Sequence, residues 1–84
     1  MNLNKSTKAL ESNGIKVIEL SYRESADRKK IAFTCEFEIN GEENYHVVNF
    51  SEKLAENFER CQDIFVARTV EYIKTLKDMA NAKR

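Results

Sequence analysis

The nine residues Ile31-Ala-Phe-Thr-Cys-Glu-Phe-Glu-Ile39 constrain this chain more than any other stretch, because two kinds of side chain alternate along them without interruption. Ile31, Phe33, Cys35, Phe37 and Ile39 fall on one side, and Ala32, Thr34, Glu36 and Glu38 on the other. A strict period of two over this length describes a β-strand with one dry face and one wet face, as in an antiparallel sheet. Asn40-Gly41 follows at once. That dipeptide is the strongest short-range signal for a two-residue type I′ hairpin, whose two central residues both need positive φ. The turn in its place sets the register: Ile39 opposite Glu42, Phe37 opposite Asn44, Cys35 opposite His46, Phe33 opposite Val48 and Ile31 opposite Phe50. His46, Val48 and Phe50 therefore join the core face. Tyr45 and Val47 stand on the outer face beside Glu36 and Thr34.

The flanking segments complete an order of elements. Asn4 to Gly14 reads as a short helix, with Asn4 or Ser6 as its cap and Asn13-Gly14 supplying the left-handed residue that ends it. Ile15 to Arg23 reads as a strand, with Ile18, Leu20 and Tyr22 on one face and Ile15 and Val17 on the other. After Phe50 the apolar period changes from 2 to 3.6, and no Gly or Pro interrupts residues 51–84. Asn49 with Glu52, or Ser51 alone, is placed to cap this second helix. The expected fold is α+β, one domain over residues 1–84: a short N-terminal helix, a three-stranded antiparallel meander and a long C-terminal helix packed on one sheet face.

Composition sets limits on function. A chain of 84 residues, 42% hydrophobic and 33% charged, is a small globular domain with a thin core. It has no apolar run long enough for a membrane span and no apolar stretch near the N-terminus of the kind a secretory signal carries. A cytoplasmic protein without a membrane partner is expected, and the composition has the style of a small phage or prophage product. The 14 basic and 14 acidic residues cancel, but they are segregated along the chain. Residues 1–30 are net +3, residues 31–59 net −6, and residues 60–84 net +3. A protein built mainly to grip a phosphate backbone carries a positive balance overall. This chain does not.

The long helix raises its own question. Leu54, Phe58, Cys61, Phe65, Tyr72, Leu76 and Met79 cluster within about 60° of one another at 100° per residue, and form the sheet-facing stripe. Between residues 64 and 73 apolar side chains spread beyond it: Val66 and Ile73 on one flank, Ile64 on the other, Val70 behind. A helix of about 30 residues runs about 45 Å, against about 26–30 Å for the strands. Three outcomes satisfy these numbers: a bend near residues 62–68, pairing with a second copy, or docking of another protein. Val66, Val70, Ile73 and Lys77 are then the partner-binding residues of the helix, and Val70→Glu is expected to spare the fold and abolish association.

Candidate chemistry is sparse. Cys35, His46 and Cys61 converge on the same core, but zinc in a structural site takes four ligands that usually come in close pairs. The expected reading is two small buried hydrophobes and one hydrogen-bonded histidine, with no metal, cofactor or catalytic residue. Glu36, Glu38, Glu42 and Glu43 surround one end of the hairpin and give an acidic outer face suited to a basic partner. Tyr45 and Val47 among them have the character of interface anchors within a polar rim. Arg23, Arg28, Lys29 and Lys30 cluster around the first β-turn, interleaved with Glu24 and Asp27.

The stretch SYRESADRKKIAFTCEFEINGEE, within the order α-β-β-β-α, resembles in layout the first hairpin and second turn of the double-stranded-RNA-binding domain. The resemblance covers residues 4–80 as element order. It implies duplex-RNA binding, for which Arg23, Arg28, Lys29 and Lys30 are the available cations. In that family the second helix opens with a lysine-rich run, where this chain has SEKLAENFER with a single lysine, Lys53. The principal expectation is therefore a non-enzymatic protein-interaction module, a homodimer or a partner of another protein. Inhibitor or adaptor is the kind of role implied. It acts through Glu36, Tyr45 and Val47 on the open sheet face and through the C-terminal helix.

Overall fold

Asn40 and Gly41 take φ values of 51° and 81°, the two positive values that a type I′ turn requires. They join two strands of ten residues each in the computed structural model, which describes residues 2–51 and 57–82. The elements are α1 (Asn4–Ser12), β1 (Lys16–Glu24), β2 (Lys30–Ile39), β3 (Glu42–Ser51) and α2 (Phe58–Ala82). The strands form one antiparallel sheet in the order β1-β2-β3. The α-β-β-β-α order and the α+β class are as expected. So is every β2–β3 pair, from Ile39 opposite Glu42 to Ile31 opposite Phe50.

Both helices lie on one face of the sheet, with α2 against β2 and β3 and α1 against β1 and α2. Phe33, wholly buried, is the centre of the packing. Its ring lies 5.2 Å from that of Phe65, 5.4 Å from Phe58, 5.8 Å from Phe50 and 6.1 Å from Tyr22. These centroid spacings fall in the range where aromatic pairs add stability beyond the area they bury. Phe37, Cys35 and Ile31 continue the same face of β2, and Leu10 of α1, Ile15 and Val48 close the cluster.

The first strand departs from the expected pattern. Val17 pairs with Phe37 but Glu19 pairs with Glu36, so Ile18 is the extra residue of a β-bulge. One inserted residue moves the alternation by one place. Val17, Leu20 and Tyr22 therefore share the core side, opposite Phe37, Cys35 and Phe33, whereas Ile18 turns outward and is 43% exposed. The expected grouping of Ile18 with Leu20 and Tyr22 is corrected accordingly.

Helix ends also differ from expectation. Neither Asn4 nor Ser6 caps α1. Asn4 N–H donates instead to Asn2 Oδ1 at 2.7 Å, and the Ser6 hydroxyl, buried, donates to Gln62 Oε1 of α2. Gly14 does end the turn after α1, with φ of 77°. Asn49 and Ser51 belong to β3, and the cap of α2 is Asn57, whose side-chain oxygen accepts from Arg60 N–H at 3.0 Å. Leu54, assigned above to the stripe, lies outside the described residues. From Phe58 onward α2 is continuous to Ala82, with no break in residues 62–68. At 25 residues it spans about 37 Å, little more than the roughly 33 Å of a ten-residue strand.

The buried side of α2 is rotated from the one expected. Cys61, Phe65, Thr69 and Ile73, spaced by four, are all buried, while Tyr72 and Met79 are 39% and 54% exposed. The cause is α1, which docks on one flank of α2 and draws that flank into the core. Ile73 is 2% exposed, and Val66 and Val70 are half-buried against the same cluster. These three are not surplus surface, so Val70→Glu is now expected to destabilise the fold. Substituting Phe33 by Ala should cost about 3–5 kcal/mol, most of the stability of so small a domain, and leave the chain largely unfolded by circular dichroism. Gly41→Ala should lower the urea midpoint by the equivalent of about 1 kcal/mol.

Candidate interaction surface

With both helices on one face, the other face of the sheet is open. The register arranges it in rows: Arg23, Ala32 and Asn49; Ser21, Thr34 and Val47; Glu19, Glu36 and Tyr45; Lys16, Glu38 and Glu43. Tyr45 is 69% exposed and Val47 40%. Glu36, Glu43, Asn44 and Tyr45 line a shallow depression at the acidic end. Lys16 Nζ pairs with Glu38 Oε1 at 3.4 Å, an exposed contact that neutralises one carboxylate at the β1 side and is worth little to stability. Glu19 faces Glu36 across β1 and β2, an unfavourable like-charge pair. A cation from another molecule would relieve it.

The residues assigned to a site from the sequence do not converge on one place. Glu36, Tyr45 and Val47 stand together on the open face. Val66, Val70 and Ile73 lie in the opposite layer, and Lys77 joins Lys74 at a shallow groove with Asn13, Ile15, Val70 and Ile73. Four exposed large hydrophobic residues escaped the sequence reading: Ile18, Tyr22, Tyr72 and Met79. Nothing local announces the first, because a bulge depends on pairing with β2. Tyr72 and Met79 did lie on the apolar stripe, but the docking of α1 turned them outward.

Tyr72 has a specific neighbour. His46, on the core face of β3, stacks on its ring at 4.4 Å and 13°. Its Nδ1 shares a hydrogen bond of 3.1 Å with the hydroxyl of Thr69, which is fully buried. Burial, and secondarily the charge of Arg68, hold the imidazole pKa below its ordinary value. Cys35, directly opposite His46, has its thiol pushed up to about 11 by burial, with Glu36 adding to the shift. Cys61 is shifted upward by burial as well. Burial thus disfavours the thiolate form of both sulfurs. Among the described residues no three His, Cys, Asp or Glu side chains are grouped to hold a metal ion.

The basic cluster is held by its acidic neighbour. Asp27 Oδ1 accepts from the Ser25 hydroxyl at 2.6 Å and from Lys29 N–H at 3.0 Å. Those bonds hold its carboxyl below the ordinary range. Arg28 takes a φ of 60° within this turn, and Arg23, Arg28, Lys29 and Lys30 are all exposed. None of the described helices is long and apolar enough to cross a membrane. No family model, curated protein or solved structure matches the chain.

The His46 environment carries a pH dependence. An imidazole held neutral in the fold but free to protonate when unfolded contributes stability above its ordinary pKa near 6.5, lost as pH falls below that value. The urea midpoint of the wild type should therefore drop between about pH 7.5 and about pH 5. In His46→Gln the drop over that interval should be smaller.

Proposed function

We propose that this chain is a non-enzymatic protein-interaction module, of the inhibitor or adaptor kind, that engages another protein through the open face of its sheet. The observation that carries this reading is Tyr45, a large aromatic 69% exposed on a sheet face that neither helix covers. Exposed tyrosines of this kind supply contact area at low conformational cost, and recur as anchors of interfaces. Val47 beside it and the glutamates around it supply the apolar contact and polar rim that such anchors use. The acidic rim favours a partner surface rich in lysine or arginine, and would speed encounter with it at low salt.

Duplex RNA is the second reading, and its support is the exposed quartet Arg23, Arg28, Lys29 and Lys30. Against it, Glu59 and Asp63 are exposed in the first turns of α2, and Lys5 is drawn to Asp63 at 3.9 Å. Acidic residues at that end of the helix repel phosphate.

Site-specific photocrosslinking in the native cells separates these readings. Benzoylphenylalanine placed at Tyr45 should form an adduct with one defined heterologous protein, lost on Val47→Glu, whereas the same group at Lys8 on α1 should not. Equal adducts from both positions, or none from Tyr45, would sink the protein-interaction reading. A salt-dependent mobility shift with duplex RNA, abolished by reversing Arg28 and Lys29 to Glu, would replace it with the second. The expected result is no shift.

A further inference from the structure

Each main-chain group along β3 points either to β2 or away from the sheet. In a two-residue hairpin the residues flanking the turn form a hydrogen-bonded pair, and such pairs then recur at every second residue. Ile39 with Glu42, Phe37 with Asn44, Cys35 with His46, Phe33 with Val48 and Ile31 with Phe50 are those pairs. It follows that the N–H and C=O groups of Glu43, Tyr45, Val47 and Asn49 point outward, along the free edge of β3. Among the described residues no other segment pairs with that edge.

The two edges of the sheet are not alike. β1 carries the bulge at Ile18 and the charged side chains of Lys16, Glu19 and Arg23, the devices that discourage strand addition. β3 runs ten residues with no bulge in its pairing to β2. Its charged residues are Glu42 and Glu43 alone, both beside the turn.

We infer that β3 pairs antiparallel with β3 of a second copy of this chain, about a two-fold axis at His46, to make a continuous six-stranded sheet. This inference rests on reading the β3 side of the molecule as an interaction surface, and it adds a second copy of the chain beside the heterologous protein that the open face engages. Three observations select a second copy. The register about His46 sets Tyr45 against Val47 of the other chain twice over, the aromatic with β-branched pairing that stabilises cross-strand neighbours. It also sets each Glu43 against an Asn49, so the acidic ends lie at opposite ends of the ribbon and no like charges meet. The third is the helix layer. Strands about 4.8 Å apart place the two α2 helices, each over β2 and β3, about 10 Å apart, the distance at which helices pack. The flank they would present is the one opposite α1, with Ile64 half-buried and Arg68, Tyr72 and Met79 exposed. Tyr72 and Thr69 contact His46 and so lie near the axis, where antiparallel helices bring Arg68 of each toward Tyr72 and Glu71 of the other. On the open face the same pairing joins the two Tyr45–Val47 patches into one.

Sedimentation equilibrium of the purified full chain at tens of micromolar should give twice the 9.8 kDa mass of one chain. Val47→Pro removes an outward N–H without touching the β2–β3 ladder, a place where an edge strand tolerates proline. It should weaken association about tenfold or more while the far-ultraviolet circular dichroism stays as in the wild type. A second measurement does not depend on that variant's folding. Tyr45→Cys mixed with Val47→Cys should yield, on oxidation, a disulfide dimer joining the two different chains, with little from either alone. A wild-type monomer at these concentrations overturns the pairing. So does a dimer undiminished in a folded Val47→Pro, or crosslinking with no preference for the mixed pair. Photocrosslinking from Tyr45 to a heterologous protein would survive each of those failures, which separates the loss of this inference from the loss of the reading on which it rests.

Discussion

Two consecutive residues with positive φ, Asn40 and Gly41, are the constraint on which the rest of this molecule depends. At positive φ the Cβ of an L-residue crowds the backbone, a cost that glycine escapes and asparagine tolerates better than most residues, so the turn is favoured at the positions where these two stand. A slip of one residue in pairing would send Phe33, Cys35 and Phe37 to water and the glutamates to the core. With the turn held, Phe33 meets Phe50 across the ladder and the helical aromatics Phe58 and Phe65 above it. The same register sets His46 under Tyr72 and Thr69.

The helix layer is organised by a second, weaker constraint: the packing of α1 on the flank of α2. The contact between Ser6 and Gln62 is a buried polar pair in which the hydroxyl and the amide satisfy each other, while the Gln62 amide also reaches Asn2 O at 3.3 Å. Such pairs add little net stability when made but are costly to leave half-made. They therefore act chiefly to fix which way α2 is rolled on the sheet. That roll buries Ile73 and exposes Tyr72 and Met79, and the uncovered side chains come to lie on the flank opposite α1.

How much of this was legible varies residue by residue. The hairpin and its pairs could be read directly, because the period of β2 and the chemistry of its turn are properties of neighbouring residues. The outer-face placement of Glu36, Tyr45 and Val47 followed from the same logic. Ile18 was misplaced because a bulge is decided by the two strands together. Ile73, Val66 and Val70 were read as surplus because helical periodicity gives angles within one helix but not the side on which another helix will dock. The start of α2 was misjudged for a different reason. Apolar spacing carried the helical reading back across Asn57, a residue type strongly favoured as a cap.

By itself the sequence determined the order of elements, the β2–β3 register and the two faces of the hairpin, since these rest on local alternation and on conformational preferences of single residues. Only the tertiary structure decided which flank of α2 is buried, which residue of β1 is extruded and which face of the sheet the helices leave uncovered. Those outcomes are set by contacts between segments far apart in the chain, such as Ser6 with Gln62 and His46 with Thr69 and Tyr72. No local pattern specifies on which side such segments meet.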